Sequence, residues 1–238
     1  MSNPTTNFLV GGIDLSNIFL PLSLGSAYPN PTGYKIPNSN DLNQIFAAYA
    51  ENWTEQTNSG SRDWFGITSS SDGTKLAATV VFDYIYTSSD SGVNWTQQIN
   101  SGGRTWKGIT SSSDGTKLAA IVYGGYIYTS SDSGITWTEQ TNSGSRNWQG
   151  ITSSSDGTKL AATVNGGYIY TSSDSGITWT EQTNSGSRDW FGITSSSDGT
   201  KLAAPVISGY IYTFIYTKAM PTGYLVNGSD LNNIFAKL

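Results

Sequence analysis

The chain of 238 residues contains no cysteine and no histidine, and only 12% of its residues are charged. Without cysteine it can form neither a disulfide framework nor a thiolate metal site. Without histidine it lacks the general base of Ser-His-Asp hydrolases and the ligands of HExxH metalloproteases and most zinc centres. The composition therefore excludes several large enzyme classes, and we expect no metal and no cofactor.

Basic residues are also scarce, with 12 Lys and Arg against 17 Asp and Glu, and the pI is near 4.5. No Lys/Arg-rich run is present to follow a phosphate backbone, so nucleic acid is not an expected partner. No stretch is long and apolar enough to cross a bilayer, and the N-terminus lacks the profile of a signal peptide. We therefore expect a virion or extracellular location without membrane insertion, reached by release on an assembled particle.

The sequence is organised by a repeat of 42 residues, marked by two series of tryptophans. Each period contains four short predicted strands; in one period they lie near residues 148–153, 159–164, 168–171 and 178–183. Four strands in about 40–45 residues is the size of one propeller blade. The two tryptophan series are Trp53, Trp95, Trp137 and Trp179, and Trp64, Trp106, Trp148 and Trp190.

Between the third and fourth predicted strands lies the motif Ser-x-Asp-x-Gly-x-Thr-Trp, at residues 130–137 and 172–179, and with Asn94 in place of Thr at 88–95. The Asp can cap backbone N–H groups of a tight turn, and the Gly supplies a positive φ. The motif resembles the Asp-box (BNR) repeat of sialidase-like β-propellers, which implies a propeller fold. The Asp-box residues are Asp90, Gly92, Trp95, Asp132, Gly134, Trp137, Asp174, Gly176 and Trp179.

The first and last copies of the repeat are incomplete in complementary ways. The last period lacks an Asp box, whereas residues 52–58 read as a fourth strand with no blade of its own. We therefore predict an all-β fold, a four-bladed propeller over residues 51–217 that is closed when the strand at 52–58 completes the last blade. The alternative is an open array whose ends pair between chains, giving a fibre or a larger ring.

A second repeat, Gly-x-Asp-Leu-x-x-Ile-Phe and its variants, flanks the blades within residues 8–19, 34–46 and 224–235. Each copy predicts a short strand, a turn and one helical turn with an Asp N-cap. It is similar to segments of structural proteins of tailed phages and large DNA viruses. We expect residues 1–50 to form a docking or capping segment against which residues 218–238 pack, and a plain cap is the alternative to docking. The expected docking residues are Leu15, Ile18, Phe19, Leu42, Ile45, Phe46, Leu231, Ile234 and Phe235.

One arginine recurs in the loop before the first strand of every blade, on the face opposite the Asp boxes. A ring of arginines would recognise a carboxylate, sulfate or phosphate, but each arginine can equally belong to the packing of its own repeat. Other differences between repeats gather on the same face. The candidate ligand-binding residues are Arg62, Arg104, Arg146, Arg188, Asp63, Asp189, Lys107 and Tyr123.

The resemblance to sialidases implies a Tyr/Glu nucleophile pair and an Asp acid, and no such pair is evident here. Glycoside hydrolysis needs two carboxyl groups facing one cleft, and only Asp63, Asp83 and Asp189 are candidates. We therefore predict a non-enzymatic structural or decoration protein of a virion or extracellular filament. Its partners would be other structural proteins or copies of itself, bound through the termini. A glycan-binding, lectin-like propeller is the alternative, and a sialidase-like hydrolase is the third hypothesis.

Overall fold

The structure, a computed structural model, describes residues 9–10, 13–14, 53–215, 225–226 and 229–230. The chain divides into two compact units, Met1–Thr54 and Glu55–Leu238. In the first unit β1 (Leu9–Val10) pairs antiparallel with β2 (Ile13–Asp14).

The second unit consists of successive antiparallel blades. Blade 1 contains β3 (Trp64–Ser69), β4 (Leu76–Asp83), β5 (Ile85–Ser88) and β6 (Thr96–Gln98). Blade 2 contains β7 (Arg104–Ser111), β8 (Leu118–Gly125), β9 (Ile127–Ser130) and β10 (Thr138–Gln140). Blade 3 contains β11 (Arg146–Ser153), β12 (Leu160–Gly167), β13 (Ile169–Ser172) and β14 (Thr180–Gln182).

Blade 4 differs from the other three in its first strand. That strand is split into two pieces, whereas the first strands of blades 1 to 3 are continuous. Its strands are β15 (Arg188–Asp189), β16 (Thr194–Ser195), β17 (Lys201–Pro205) and β18 (Ile211–Ile215). A 3-10 helix precedes each blade, at Thr57–Ser59, Ile99–Ser101, Thr141–Ser143 and Thr183–Ser185.

The core lies between blades as well as within them. Ile85 on the third strand of blade 1 is fully buried in a cluster with Trp106 on the first strand of blade 2. Ile127 and Trp148 repeat this pairing between blades 2 and 3. Burying large apolar side chains between neighbours is what lets units of about 40 residues stack into a stable array.

Backbone contacts also join each blade to the next. The second strand of one blade pairs with the start of the next blade's first strand, as in Val81 with Thr105. Glycines allow the first strands to approach closely, since a Cβ on Gly150 would lie 2.9 Å from the Cα of Gly192. The blades are therefore held by hydrogen bonds as well as by apolar packing.

The predicted strand at residues 52–58 is wrong for the part that the structure describes. Residues 53–56 belong to no strand, Thr57–Ser59 form a 3-10 helix, and the side chain of Trp53 is fully exposed. In blades 1 to 3 a short Asp-box turn connects the third strand to the fourth, so the two strands pair as neighbours in the sequence. Residues 53–56 are not connected to β18 by a short turn of this kind. No strand pair joins blade 4 to blade 1 within residues 53–215.

Near the C-terminus β19 (Leu225–Val226) pairs with β20 (Ser229–Asp230) in the same register as β1 with β2, since Leu225 opposes Asp230 as Leu9 opposes Asp14. These two strand pairs correspond to the extended part of the predicted flanking element. The expected helical turns, the copy at 34–46 and the docking residues lie outside the described residues, so docking stays a prediction. In the described part of the chain no helix is long and apolar enough to span a membrane.

Candidate functional site

The two ends of each blade differ in character. At one end the Asp-box turn meets the turn between the first and second strands, because the Ser133 N–H donates to the Thr116 carbonyl at 2.9 Å. The opposite end carries the loop before the first strand and the turn between the second and third strands. The predicted sites therefore lie away from the Asp boxes.

The Asp box forms the turn that its sequence predicts. The Thr136 N–H donates to Asp132 Oδ1 at 2.9 Å, the Trp137 indole donates to the Gly134 carbonyl at 2.8 Å, and Gly134 has φ 90°. Equivalent bonds form around Asp90 and Asp174. These carboxylates are engaged inside their own turns, which fits a structural role rather than a ligand site.

The four recurring arginines lie against tyrosines of their own blades. The Cζ atom of Arg104 is 4.4 Å from the centroid of the Tyr128 ring, and its Nε donates to the Ser101 carbonyl at 3.2 Å. The other three arginines repeat both contacts, with Cζ-to-centroid distances of 4.4 to 4.5 Å. A guanidinium over an aromatic face contributes about 0.5–2 kcal/mol. Each arginine thus has a packing function within its blade.

The carboxylates near these arginines do not form a catalytic pair. Arg62 forms the ion pair found among the described residues, with Asp83 at 3.9 Å, and Asp83 also accepts from the Tyr86 hydroxyl. The side chains of Asp63 and Asp189 are exposed. No group of three or more carboxylates able to hold a metal ion occurs within the described residues.

A β-bulge changes the direction of one side chain in each of blades 1 to 3. The register of β3 against β4 shifts between Trp64 and Gly66, so Phe65 is the bulged residue. Lys107 and Gln149 are bulged in the same way in blades 2 and 3, and Phe191 holds this position in blade 4. Bulges are often found where a strand presents a side chain for function. We call Phe65, Lys107, Gln149 and Phe191 the bulge row.

Two neighbouring members of the bulge row, Phe65 and Lys107, are in contact. The Lys107 ammonium lies 4.3 Å from the centroid of the Phe65 ring and 5.9 Å from that of Tyr123. Phe65 and Tyr123 remain 50% and 45% exposed in this arrangement. A cation therefore links two exposed aromatic rings across blades 1 and 2.

Phe82 adds a third exposed ring at this end of the blades. It lies at the end of β4, in the turn into β5 that the Val80 N–H closes by donating to the Tyr84 carbonyl, is 80% exposed and has φ 61°. The equivalent residues of blades 2 and 3 are Gly124 and Gly166, with φ of 71° and 69°. We call Phe65, Phe82, Lys107 and Tyr123 the aromatic face.

The sequence indicated half of the aromatic face. Lys107 and Tyr123 were candidates because they lie where the repeats vary. Phe65 and Phe82 lie at variable positions of the same face but were not among the candidate binding residues. The available signal was a phenylalanine at a turn position that two sister blades fill with glycine. The aromatic face offers flat apolar surfaces and one ammonium, which suits stacking against a sugar or a planar group.

No protein-family model and no curated protein matches the sequence. Solved structures resemble its fold. A GH74 enzyme from Niastella koreensis is 18% identical with a TM-score of 0.51, and the match covers 63% of this chain and 22% of that one. YCF48 from Cyanidioschyzon merolae is 15% identical with a TM-score of 0.50, covering 64% and 52%. A chain of a nidogen–laminin complex is 17% identical with a TM-score of 0.52, covering 60% and 56%.

These neighbours are β-propeller proteins, so the prediction of an all-β, antiparallel propeller fold is confirmed. The matches span between about a fifth and about half of the length of these relatives. They include an enzyme as well as non-enzymes. At identities below one in five, the likeness concerns the fold alone.

Proposed function

We propose that this protein is a non-enzymatic structural component of a virion or extracellular filament, and that its aromatic face contacts a partner. The observation that carries the proposal is the exposure of Phe65, Phe82 and Tyr123 at the end of the blades where the repeats differ most, with Lys107 against the rings of Phe65 and Tyr123. Variable side chains on a rigid repeat scaffold are a common arrangement for recognition.

The polar groups of the blades support a role without catalysis. The Asp-box carboxylates cap turns, and Glu139 and Glu181 accept hydrogen bonds from Tyr128 and Tyr170. Each arginine stacks on a tyrosine of its own blade. The reacting pair that hydrolysis requires, two carboxyl groups facing one cleft, has no counterpart on the aromatic face. We expect no turnover of fluorogenic sialosides or xyloglucan oligosaccharides by the full chain, and measurable turnover would contradict the proposal.

A protein partner is supported by the kind of assembly in which this fold is used. One neighbour comes from a complex of nidogen with laminin, that is, from an assembly between proteins. Cosedimentation of the chain with particles or filaments released by the producing cells, followed by mass spectrometry, tests the structural role. Recovery of the chain only as free protein would contradict that role.

Glycan binding is the second candidate, and the three exposed rings favour it, because aromatic faces stack on the apolar faces of sugars. The test uses substitutions that copy blade 3 into the other blades, namely Phe65→Gln, Lys107→Gln and Tyr123→Asn. Since blade 3 folds with these residues, the variants retain the scaffold. On a glycan array we expect the wild-type protein to bind a subset of glycans, with at least a tenfold loss in the variants. Val93→Ile, at the Asp-box end, is the matched control and should bind like wild type. Absence of wild-type binding to any glycan would reject this candidate and leave the structural role standing.

A further inference from the structure

Residues 53–78 and 179–204 have the same sequence but different surroundings. Trp190, in the second segment, is fully buried in a cluster with Ile169 of the preceding blade. Trp64, its equivalent in the first segment, follows no blade among the described residues and is only half-buried. Ile67 beside it is 66% exposed, whereas its equivalent Ile109 is 8% exposed. The outer side of blade 1 is thus an apolar surface of a kind that another blade covers elsewhere in this chain.

The other end of the array presents the complementary surface. The third-strand isoleucines Ile85 and Ile127 are fully buried, and Ile169 is 9% exposed, because each packs against the next blade. Ile211 holds the same position in blade 4 and is 72% exposed. Tyr210 and Ile215 beside it are 82% and 60% exposed. Among the described residues, no first strand of a following blade therefore covers this side of blade 4.

The two exposed ends fit each other by the same contacts that join adjacent blades. Within the chain, the third-strand isoleucine lies 21 residues before the tryptophan that it meets, as in Ile169 and Trp190. Continued by one repeat, this rule places Ile211 against a tryptophan equivalent to Trp64. A backbone ladder continues in the same way, since the Ser155 N–H donates to the Ser197 carbonyl at 2.7 Å. The next bond of the series would run from the Ser197 N–H to a carbonyl equivalent to that of Ser71.

In the sequence, the last repeat has no Asp box to lead into a fourth strand, whereas residues 54–56 have the sequence of such a strand. Their sequence, Thr-Glu-Gln, is that of β14, and the 3-10 helix Thr57–Ser59 follows them as Thr183–Ser185 follows β14. In blade 3, Ile169 opposes Gln182, so the matching pair at the open end is Ile211 with Gln56. The blade 1 end of a second chain would therefore provide blade 4 with both a fourth strand and a following blade.

We propose that copies of this chain join end to end, with blade 1 of a second copy covering blade 4 of the first. The contact is heterologous, because different surfaces of the two copies meet, so copies close into a ring or continue as a filament. This inference goes beyond the proposed function, since it uses neither the aromatic face nor a foreign partner. The alternative occupants of the open ends are the opposite end of the same chain and the flanking segments of the same chain.

The test blocks one end at a time in the full-length protein. Ile211→Asp blocks the blade 4 end, and Ile67→Asp blocks the blade 1 end; both side chains are largely exposed, so the fold of the single chain tolerates them. Native mass spectrometry and analytical ultracentrifugation then give the size of each assembly. We expect wild type to form concentration-dependent assemblies of two or more chains, and each variant alone to remain monomeric.

An equimolar mixture of the two variants is the decisive sample. Each pair of chains then has one intact contact and two blocked ends, so we expect a dimer containing one chain of each variant and nothing larger. Ile135→Asp, on an Asp-box side chain that is 58% exposed, is the matched control and should assemble like wild type. A monomeric wild type at high micromolar concentration, variants that assemble as wild type does, or a mixture that stays monomeric would each overturn the proposal.

Discussion

Phe82 and Gly124 occupy the same turn position in neighbouring blades, and both have positive φ, 61° and 71°. Glycine adopts this conformation freely, whereas a bulky residue pays about 1–2 kcal/mol for it. Phe82 is nevertheless 80% exposed, so little burial offsets the strain. A strained, exposed aromatic residue on a rigid turn indicates that its side chain acts on the surface rather than in the core.

Replacing Phe82 with glycine should therefore stabilise the protein. We expect the free energy of unfolding to rise by about 1 kcal/mol in Phe82→Gly, measured by urea denaturation. The matched control is Gly166→Phe, which places the same ring in blade 3 at φ 69°, where a Cβ would meet only Asp189 at 3.9 Å. That variant should lose about 1 kcal/mol. A destabilised Phe82→Gly variant would show that Phe82 packs rather than protrudes.

Equivalent isoleucines should differ sharply in their contribution to stability. Ile127 is fully buried against blade 3, whereas Ile211 is 72% exposed. We expect Ile127→Ala to lower the free energy of unfolding by about 2–5 kcal/mol, and Ile211→Ala to lower it by less than about 0.5 kcal/mol. Denaturation must be measured at a dilution where the protein is monomeric. Equal losses at the two positions would mean that Ile211 is covered within its own chain.

The Asp-Gly turns between first and second strands should make stability depend on acid pH. The Ser70 hydroxyl and the Thr74 N–H and hydroxyl donate to Asp72, and these bonds lower its pKa to about 2. Equivalent bonds lower the pKa of Asp114, Asp156 and Asp198 further. Because an unfolded Asp has a pKa of about 3.9, the unfolded chain binds more protons below that pH. Stability should therefore fall as the pH drops from about 4 towards 2.

Asp72→Asn isolates one of these turns. The difference in urea midpoint between wild type and Asp72→Asn should be constant above about pH 5 and shrink towards pH 2, as the wild-type carboxylate becomes protonated. A difference that persists unchanged at pH 2 would show that the charge of Asp72 contributes nothing to the folded state.

Two tyrosine hydroxyls should lose their protons at a higher pH than an ordinary tyrosine. Burial, followed by the hydrogen bond that each hydroxyl donates to a glutamate, raises the pKa of Tyr128 and Tyr170 to about 12. Since an unfolded Tyr has a pKa of about 10, this contribution to stability is complete below pH 10 and is lost as the pH rises through about 12. Ultraviolet absorbance of tyrosinate measures the titration. Glu139→Gln, which copies Gln97 of blade 1, should lower the pKa of Tyr128, and titration of both tyrosines near pH 10 in wild type would contradict the assignment.

Features with a local cause could be predicted from the sequence. The positive φ of Gly134 and the bonds around Asp132 form within eight residues, so the Asp-box motif already contains their cause. The Trp106 and Trp148 spacing likewise indicated the blade period, because each repeat buries the same side chains. The antiparallel, all-β character followed from these two signals.

Features that depend on relations between distant parts could not be predicted. Whether residues 53–56 reach β18 depends on the angle between successive blades, which is set by close packing at positions such as Gly150 rather than by any motif. For a similar reason, only two of the four residues of the aromatic face were candidates from the sequence. The variation at the shared position of Phe65 and Lys107 is visible in the sequence, whereas the β-bulge at that position and the backbone conformation of Phe82 are properties of the folded chain.

A cysteine cross-link tests most directly whether the ends of the array meet between copies. The Oγ atoms of Thr68 and Ser111 are 3.0 Å apart across blades 1 and 2, and those of Thr152 and Ser195 are 3.2 Å apart across blades 3 and 4. The next pair in this series is Thr194 with Ser69 of a second copy. Since the chain has no cysteine, single Thr194→Cys and Ser69→Cys chains can be mixed and oxidised without interference.

The same measurement has an internal standard, the double variant Thr68→Cys/Ser111→Cys, which should cross-link within one chain. We expect the mixed single variants to give a covalent dimer of one Thr194→Cys chain with one Ser69→Cys chain, in a yield close to that of the standard, and neither variant to cross-link efficiently alone. If the mixed chains remain uncross-linked, and a chain carrying both Thr194→Cys and Ser69→Cys forms the bond within itself, blade 4 meets blade 1 of the same chain and end-to-end assembly is contradicted.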